Sequence, residues 1–265
     1  MGLKIRLLIA LVRVRLFKIK QLFNSKARQK RKNITINTES YRKEVEKQLC
    51  DLGYANIKKY SLSTWKYYGV DRVRLTFLAA RNGKKYVIKV TKGFEDKLNN
   101  SIRFHKRFND EFSFIPKGDE IKLTGYVGYE TEYIPSYPFS LAKYIIDKSN
   151  VAEYLKQVNS ILDQLAKYSI VHCDLDHVNL LISKKDRRLY IIDWDTCCSD
   201  VVGLYCQHFP AYTIKRKAED DRFIYDDAFS FCTLFRRLGI DGLENIEEFS
   251  KLTKKVDTNI HIADN

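Results

Sequence analysis

The sequence predicts an α+β fold in which a strand-rich first half precedes a mainly helical second half. Residues 72 to 79 alternate, with Val73, Leu75 and Phe77 on one side, and "RNGKK" supplies an Asn82-Gly83 turn before Tyr86 to Val90 resumes as a strand, so this is a hairpin. From Val151 the apolar residues Tyr154, Leu155, Val158, Ile161, Leu162 and Leu165 recur at helical spacing, which makes a helix with one buried stripe. Between Ile170 and Asp195, "LLIS" and "LYIID" read as two short strands joined by the polar turn "KKDRR".

The remaining elements follow in order. After the basic link "NSKARQKRKN", residues 39 to 52 read as a short helix. Beyond the hairpin, Phe94 to Phe112 reads as a helix, "GYVGYETEYI" returns to strand, and Pro135 and Pro138 punctuate a connection. The segment "DDAFSFCTLFRRLG" is helical and stops at Gly239, because glycine tolerates the left-handed backbone that ends helices. No internal repeat or low-complexity domain is visible.

With 265 residues, 45% of them hydrophobic, the chain can bury a real core. Its six cysteines form no CxxC pair and take no zinc-finger spacing with the five histidines, so disulfide and metal-thiolate frameworks are poorly supported and a reducing cytoplasm is expected. Residues 1–32 hold eleven Lys or Arg and no acid, whereas the rest holds 36 basic against 33 acidic residues. The basic excess is therefore a property of the tail. The tail's longest uncharged apolar run, Leu7 to Val12, is far short of the roughly 20 residues that span a bilayer. Arg13 and Arg15 argue against a signal peptide, and Arg6 stands where a myristoylation motif wants Ser or Thr. Three readings of the tail stay open: an interfacial anchor on anionic lipid, an element docked on the body, and a basic arm for nucleic acid. The near-neutral body disfavours the last.

The segment "IVHCDLDHVNLLISKKDRRLYIIDWD" packs five Asp and two His into a region of short strands. Phosphoryl transfer to a hydroxyl needs a carboxylate to accept the proton, oxygen ligands for Mg²⁺, and a cation on the nucleotide phosphates. His172, Asp174 and Asn179 fit H-x-D-x-x-x-x-N, and Asp193 ends the second strand. The strand pair is expected to bring Asn179 and Asp193 together as hard oxygen ligands, with Asp174 left to act as base.

On these residues the sequence resembles the protein kinase-like superfamily, which includes aminoglycoside and choline kinases and the small heptose and Kdo kinases of lipopolysaccharide core. "YVIKV" places Lys89 like the lysine that holds nucleotide phosphates, "ETEYI" resembles the interlobe hinge, and "DDAFSF" resembles the helix whose aspartate, here Asp227, braces the catalytic loop. These motifs keep the family's order over roughly residues 55–240. The resemblance implies a bilobal fold: a basic segment over 1–38, an N-lobe of small antiparallel sheet over 39–133, and a shortened helical C-lobe over 134–265. It implies ATP and Mg²⁺ as cofactors. Asp174 would be the catalytic base and Asn179 and Asp193 the metal ligands. Lys89 would lie on the phosphates with Glu95, or else Glu111, as its partner, and the backbone from Glu132 to Ile134 would lie on adenine. His172 is expected to pack under the loop, and Asp195 to turn outward.

The pattern also departs from protein kinases. The phosphate-covering turn "TWKYYGVD" has Gly69 alone, and Cys173 replaces an arginine that reads activation-loop phosphate. Asp176 stands where Ser/Thr kinases carry a lysine for the transferring phosphate, and only 26 residues follow Gly239. These departures favour a sugar hydroxyl of lipopolysaccharide core or a related glycolipid as acceptor. The enzyme would then be peripheral on the inner face of the membrane, with residues 1–32 on the anionic surface. A Ser/Thr-type protein kinase and a nucleotide-binding pseudokinase scaffold are the alternatives.

Overall fold

The structure, a computed structural model, describes residues 39–67, 70–93, 95–205, 214–217 and 222–263, with the side chains of residues 62–71 outside that description. The basic tail, the turn around Gly69, Phe94 and Cys206 lie outside the described residues. The fold is α+β, and the chain divides into two compact units: one runs to Ile102 and takes in Lys117–Tyr133, and the other combines Arg103–Pro116 with Ile134 onward.

The first unit is a helix over residues 39–51 (α1) and a five-stranded antiparallel sheet. Its strands are β1 (Ala55–Tyr67), β2 (Val70–Arg81), β3 (Lys84–Lys92), β4 (Gly118–Leu123) and β5 (Tyr126–Glu132), in the order β1-β2-β3-β5-β4. Alternation in β2 buries Val73, Leu75, Phe77 and Ala79 on one face, where they join Val45 and Leu49 of α1 and Ile88 and Val90 of β3. Each of these fully buried larger side chains contributes about 1.5–3 kcal/mol. Arg81 pairs with Lys84 across a two-residue turn in which Asn82 (φ 51°) and Gly83 (φ 75°) are both left-handed, so the turn's twist matches that of the strands. Glu130 is buried in this core, where its carboxylate accepts from the Tyr54 hydroxyl and the Arg81 guanidinium. Arg81 also lies 4.4 Å over the Tyr54 ring. β4 has no counterpart in the sequence reading; its charged, weakly alternating residues carry little periodic signal.

The helix α2 (Glu95–Phe108) ends earlier than the sequence suggests, because residues 109–111 turn and Phe112 folds back: its amide donates to Phe108 O. In the second unit the resulting aromatic layer is tightly ordered. Phe108 stacks on Phe112 (4.6 Å, 3°), Phe112 on Phe114 (4.9 Å, 20°), and Phe104 on Trp194 (4.0 Å, 10°). Helix α3 (Val151–Ala166) buries the predicted stripe from Tyr154 to Leu165 in the same core. A small sheet in the order β6-β7-β8 (Ser136–Pro138, Leu180–Ser183, Leu189–Ile191) holds the predicted hairpin, paired Leu180 to Ile191 and Ile182 to Leu189. Helices α4 (Asp227–Arg236) and α5 (Glu247–Thr253) complete the core. A third sheet, β11-β10-β9, brings the C-terminal strand Ile260–Ala263 onto Phe223–Asp226, beside Arg216–Lys217. Its short strands are invisible to a periodicity argument.

Candidate active site

The loop after α3 is fastened at its start by two neighbouring residues. Val171 and Cys198 exchange amide hydrogen bonds of 3.0 and 2.8 Å, and the next residue, His172, donates its amide to Asp227 Oδ2 at 2.8 Å. Asp227 is fully enclosed and also accepts from the Cys173 amide. Burial, with Asp226 and Cys198 nearby, pushes its carboxyl up to about 7, while the two amides pull the other way. The loop bends sharply at Cys173, whose φ of 62° is left-handed.

His172 is 0% exposed and stands edge-on to Trp194, with ring centroids 4.6 Å apart. Its Nε2 meets Ile192 O at 3.0 Å and its Nδ1 accepts from the Asp174 amide at 3.2 Å. A carbonyl can only accept and an amide can only donate, so Nε2 carries the hydrogen. This one ring therefore ties the backbone of Asp174 to the residue preceding Asp193.

Asn179 makes the second tie. Its Nδ2 donates to Asp174 O at 2.8 Å and to Asp174 Oδ2 at 3.1 Å, and its backbone carbonyl accepts from Ile192 N at 2.9 Å. The β7–β8 register places Asn179 opposite Ile192, one residue short of Asp193. Asp193 leaves the strand in a left-handed conformation (φ 68°, ψ 58°) and opens the short turn Trp194–Thr196. Asp195, expected to turn outward, is instead 4% exposed inside that turn.

These residues fit a magnesium site of the kind that relies on substrate. With Asn179 Nδ2 donating to Asp174, the amide oxygen Oδ1 is the atom left to ligate, and Asp193 offers carboxylate oxygens. Both are hard donors. Among the described residues no group of three or more His, Cys, Asp or Glu is arranged for a metal. Two protein oxygens are what Mg²⁺ commonly uses where phosphates and water complete its shell.

The other predicted residues lie as follows. Lys89 is half-buried on β3, between Thr76 and Tyr129 in the ladder. Glu95 is exposed at the start of α2, and its carboxylate accepts from the Gly93 amide at 2.6 Å. Glu111 pairs with Lys167 (3.3 Å) and Arg107 (3.4 Å) and accepts from the Tyr168 hydroxyl. Glu132 pairs with Lys84 at 3.2 Å and its amide donates to Lys117 O, while the Tyr133 amide donates to Lys85 O; Ile134 follows, half-buried.

Sequence reasoning singled out Asp227 but missed the ties made by Asp226 and Asn259. Asp226 caps α4 through Phe229 N (3.0 Å) and also accepts from Asp257 N (2.9 Å) and Arg216 (3.2 Å). Asn259 Nδ2 donates to Ile170 O at 2.7 Å. The paired acids of "DDAF" before a helical run carry the cap signal, but nothing in the sequence tells which partner reaches them from 31 residues away.

A model of the APH phosphotransferase enzyme family matches residues 133–203, which take in Asp174, Asn179 and Asp193. Fold and match together support a phosphotransferase of the kinase type. Over this segment the chain is similar to that family, and no curated protein matches the sequence.

Proposed function

We propose that the protein is an ATP- and Mg²⁺-dependent kinase that transfers the γ-phosphate to a sugar hydroxyl of lipopolysaccharide core or a related glycolipid. The observation that carries this reading is the frame around Asn179: its side chain holds Asp174 and its carbonyl holds Ile192 beside Asp193. A base and a metal ligand supported on one such frame suit an in-line transfer, where catalysis is mostly positioning.

In the reaction, the acceptor hydroxyl gives its proton to Asp174 as its oxygen bonds to the γ-phosphorus. The bond from that phosphorus to the bridging oxygen breaks, and ADP leaves with the electron pair. Mg²⁺ held by Asn179 and Asp193 would draw charge from the phosphate oxygens. Lys89 is assigned to the nucleotide phosphates and the backbone around Glu132 to Ile134 to adenine, both by resemblance. Residues 1–32, with eleven basic residues, are assigned to the anionic inner face of the membrane, where a lipid-linked acceptor resides.

Purified protein incubated with γ-labelled ATP, Mg²⁺ and separated glycolipid and protein fractions tests this. Label should enter the glycolipid and not with Asp174→Asn. Label found only in protein would point to a protein kinase, and nucleotide binding without any transfer would point to a pseudokinase.

A further inference from the structure

Asp176 is the residue whose charge sits least easily with phosphoryl transfer, and the structure gives its carboxylate an occupation. Its Oδ1 accepts both from the His177 amide (2.6 Å) and from His177 Nδ1 (2.7 Å). Its backbone carbonyl accepts from Asn179 N at 2.9 Å. The acid is thus turned onto its neighbour inside the loop, 20% exposed, while the imidazole it holds is 44% exposed. Because a carboxylate can only accept, Nδ1 must carry hydrogen, and in the neutral ring Nε2 is left as an acceptor. Beside it Val178 is 57% exposed, an apolar side chain on the same short turn.

From this arrangement we infer that His177 is a specificity-determining contact for the acceptor: Nε2 receives a hydrogen bond from a second hydroxyl of a polyol, adjacent to the one that is phosphorylated. This rests on the proposed kinase reading and narrows its substrate class to acceptors bearing neighbouring hydroxyls. Three features converge on it. His177 lies three residues from Asp174 and two from Asn179, so it sits on the loop that holds the reacting hydroxyl. Its ring is fixed by Asp176 instead of being free to rotate, which lowers the entropy lost on binding. A sugar presents both hydroxyls and C–H faces, and the turn offers an acceptor nitrogen next to exposed Val178. A site built to bond a substrate hydroxyl discriminates strongly against an analogue that lacks it. Asp176 is a positioning residue in this scheme.

The test measures ATP-dependent phosphorylation of deacylated lipopolysaccharide core by the full chain. In His177→Ala the KM for the core probe should rise about tenfold, as expected for one lost hydrogen bond, with kcat and the KM for ATP within about twofold of wild type. His177→Gln, which can place an amide oxygen near the Nε2 position, should recover most of the affinity, and this rescue separates a contact from a merely structural role. Normal transfer with an unchanged acceptor KM in His177→Ala overturns this inference alone, as does a change confined to the KM for ATP. Failure of the wild type to phosphorylate the core probe overturns the acceptor reading and this inference with it.

Discussion

Two buried groups decide how the loop carrying Asp174 and Asn179 is held, and neither has a part in the proposed transfer. His172 has both ring nitrogens engaged, one with Ile192 O and one with the Asp174 amide, so it acts as a rivet between two loop segments. Asp227 receives the amides of His172 and Cys173 from below. Its raised pKa has a consequence for stability. The ordinary value is 3.8 and the folded value about 7, so between those limits the native state keeps a proton that the unfolded chain has released. That contribution, on the order of 4 kcal/mol, is fully present below about pH 4, is lost as pH rises toward 7, and is flat above. Asp226, Cys198 and Cys173 are the titratable neighbours that face it. Urea unfolding at a series of pH values should therefore show wild type losing stability relative to Asp227→Asn between about pH 4 and 7; parallel curves would rule this out. Asp174→Asn should retain nucleotide binding and lower transfer by about 10²–10⁴-fold, the span expected for removal of a general base.

Among the elements, the β2–β3 hairpin and the β7–β8 hairpin show how local chemistry sets register. Asn82 and Gly83 both adopt positive φ, and the turn they form fixes the pairing that puts Lys89 opposite Thr76. Gly83→Ala has open space for its methyl group but must adopt φ 75°, so it should lower stability by about 1 kcal/mol in thermal or urea unfolding without altering nucleotide affinity. In β7–β8 the register places Asn179 against Ile192, and a slip of one residue would send Asp193 to the other side of the strand. The α2 boundary shows the opposite case: the apolar residues from Phe104 to Phe112 look like a continuing helix, yet the chain turns after Phe108, and Phe108, Phe112 and Phe114 stack in series.

For the molecule as a whole, charge is the leading variable. The excess of basic over acidic residues is concentrated in 1–32, so deletion of that segment should abolish sedimentation with anionic vesicles while leaving phosphorylation of a deacylated acceptor intact. Binding by the full chain should weaken as salt rises from 0.05 to about 0.5 M, since surface attraction is screened over a Debye length. Vesicle binding that survives the deletion would assign the contact elsewhere. Among the described residues no helix is long and apolar enough to cross a membrane.

The sequence by itself determined the α+β class, the first hairpin, the stripe of α3 and the spacing of Asp174, Asn179 and Asp193, because each is written in short-range periodicity or turn chemistry. Only the tertiary structure decided how those side chains are held. The ring of His172 between Asp174 and Ile192, the enclosure of Asp195, the turning of Asp176 onto His177, and the return of Asp257 to Asp226 and of Asn259 to Ile170 all depend on partners and backbone angles. The last of these join residues 31 and 89 positions apart. A hydrogen bond of that kind leaves no repeating trace in the chain; it exists only once the core has brought its two ends together.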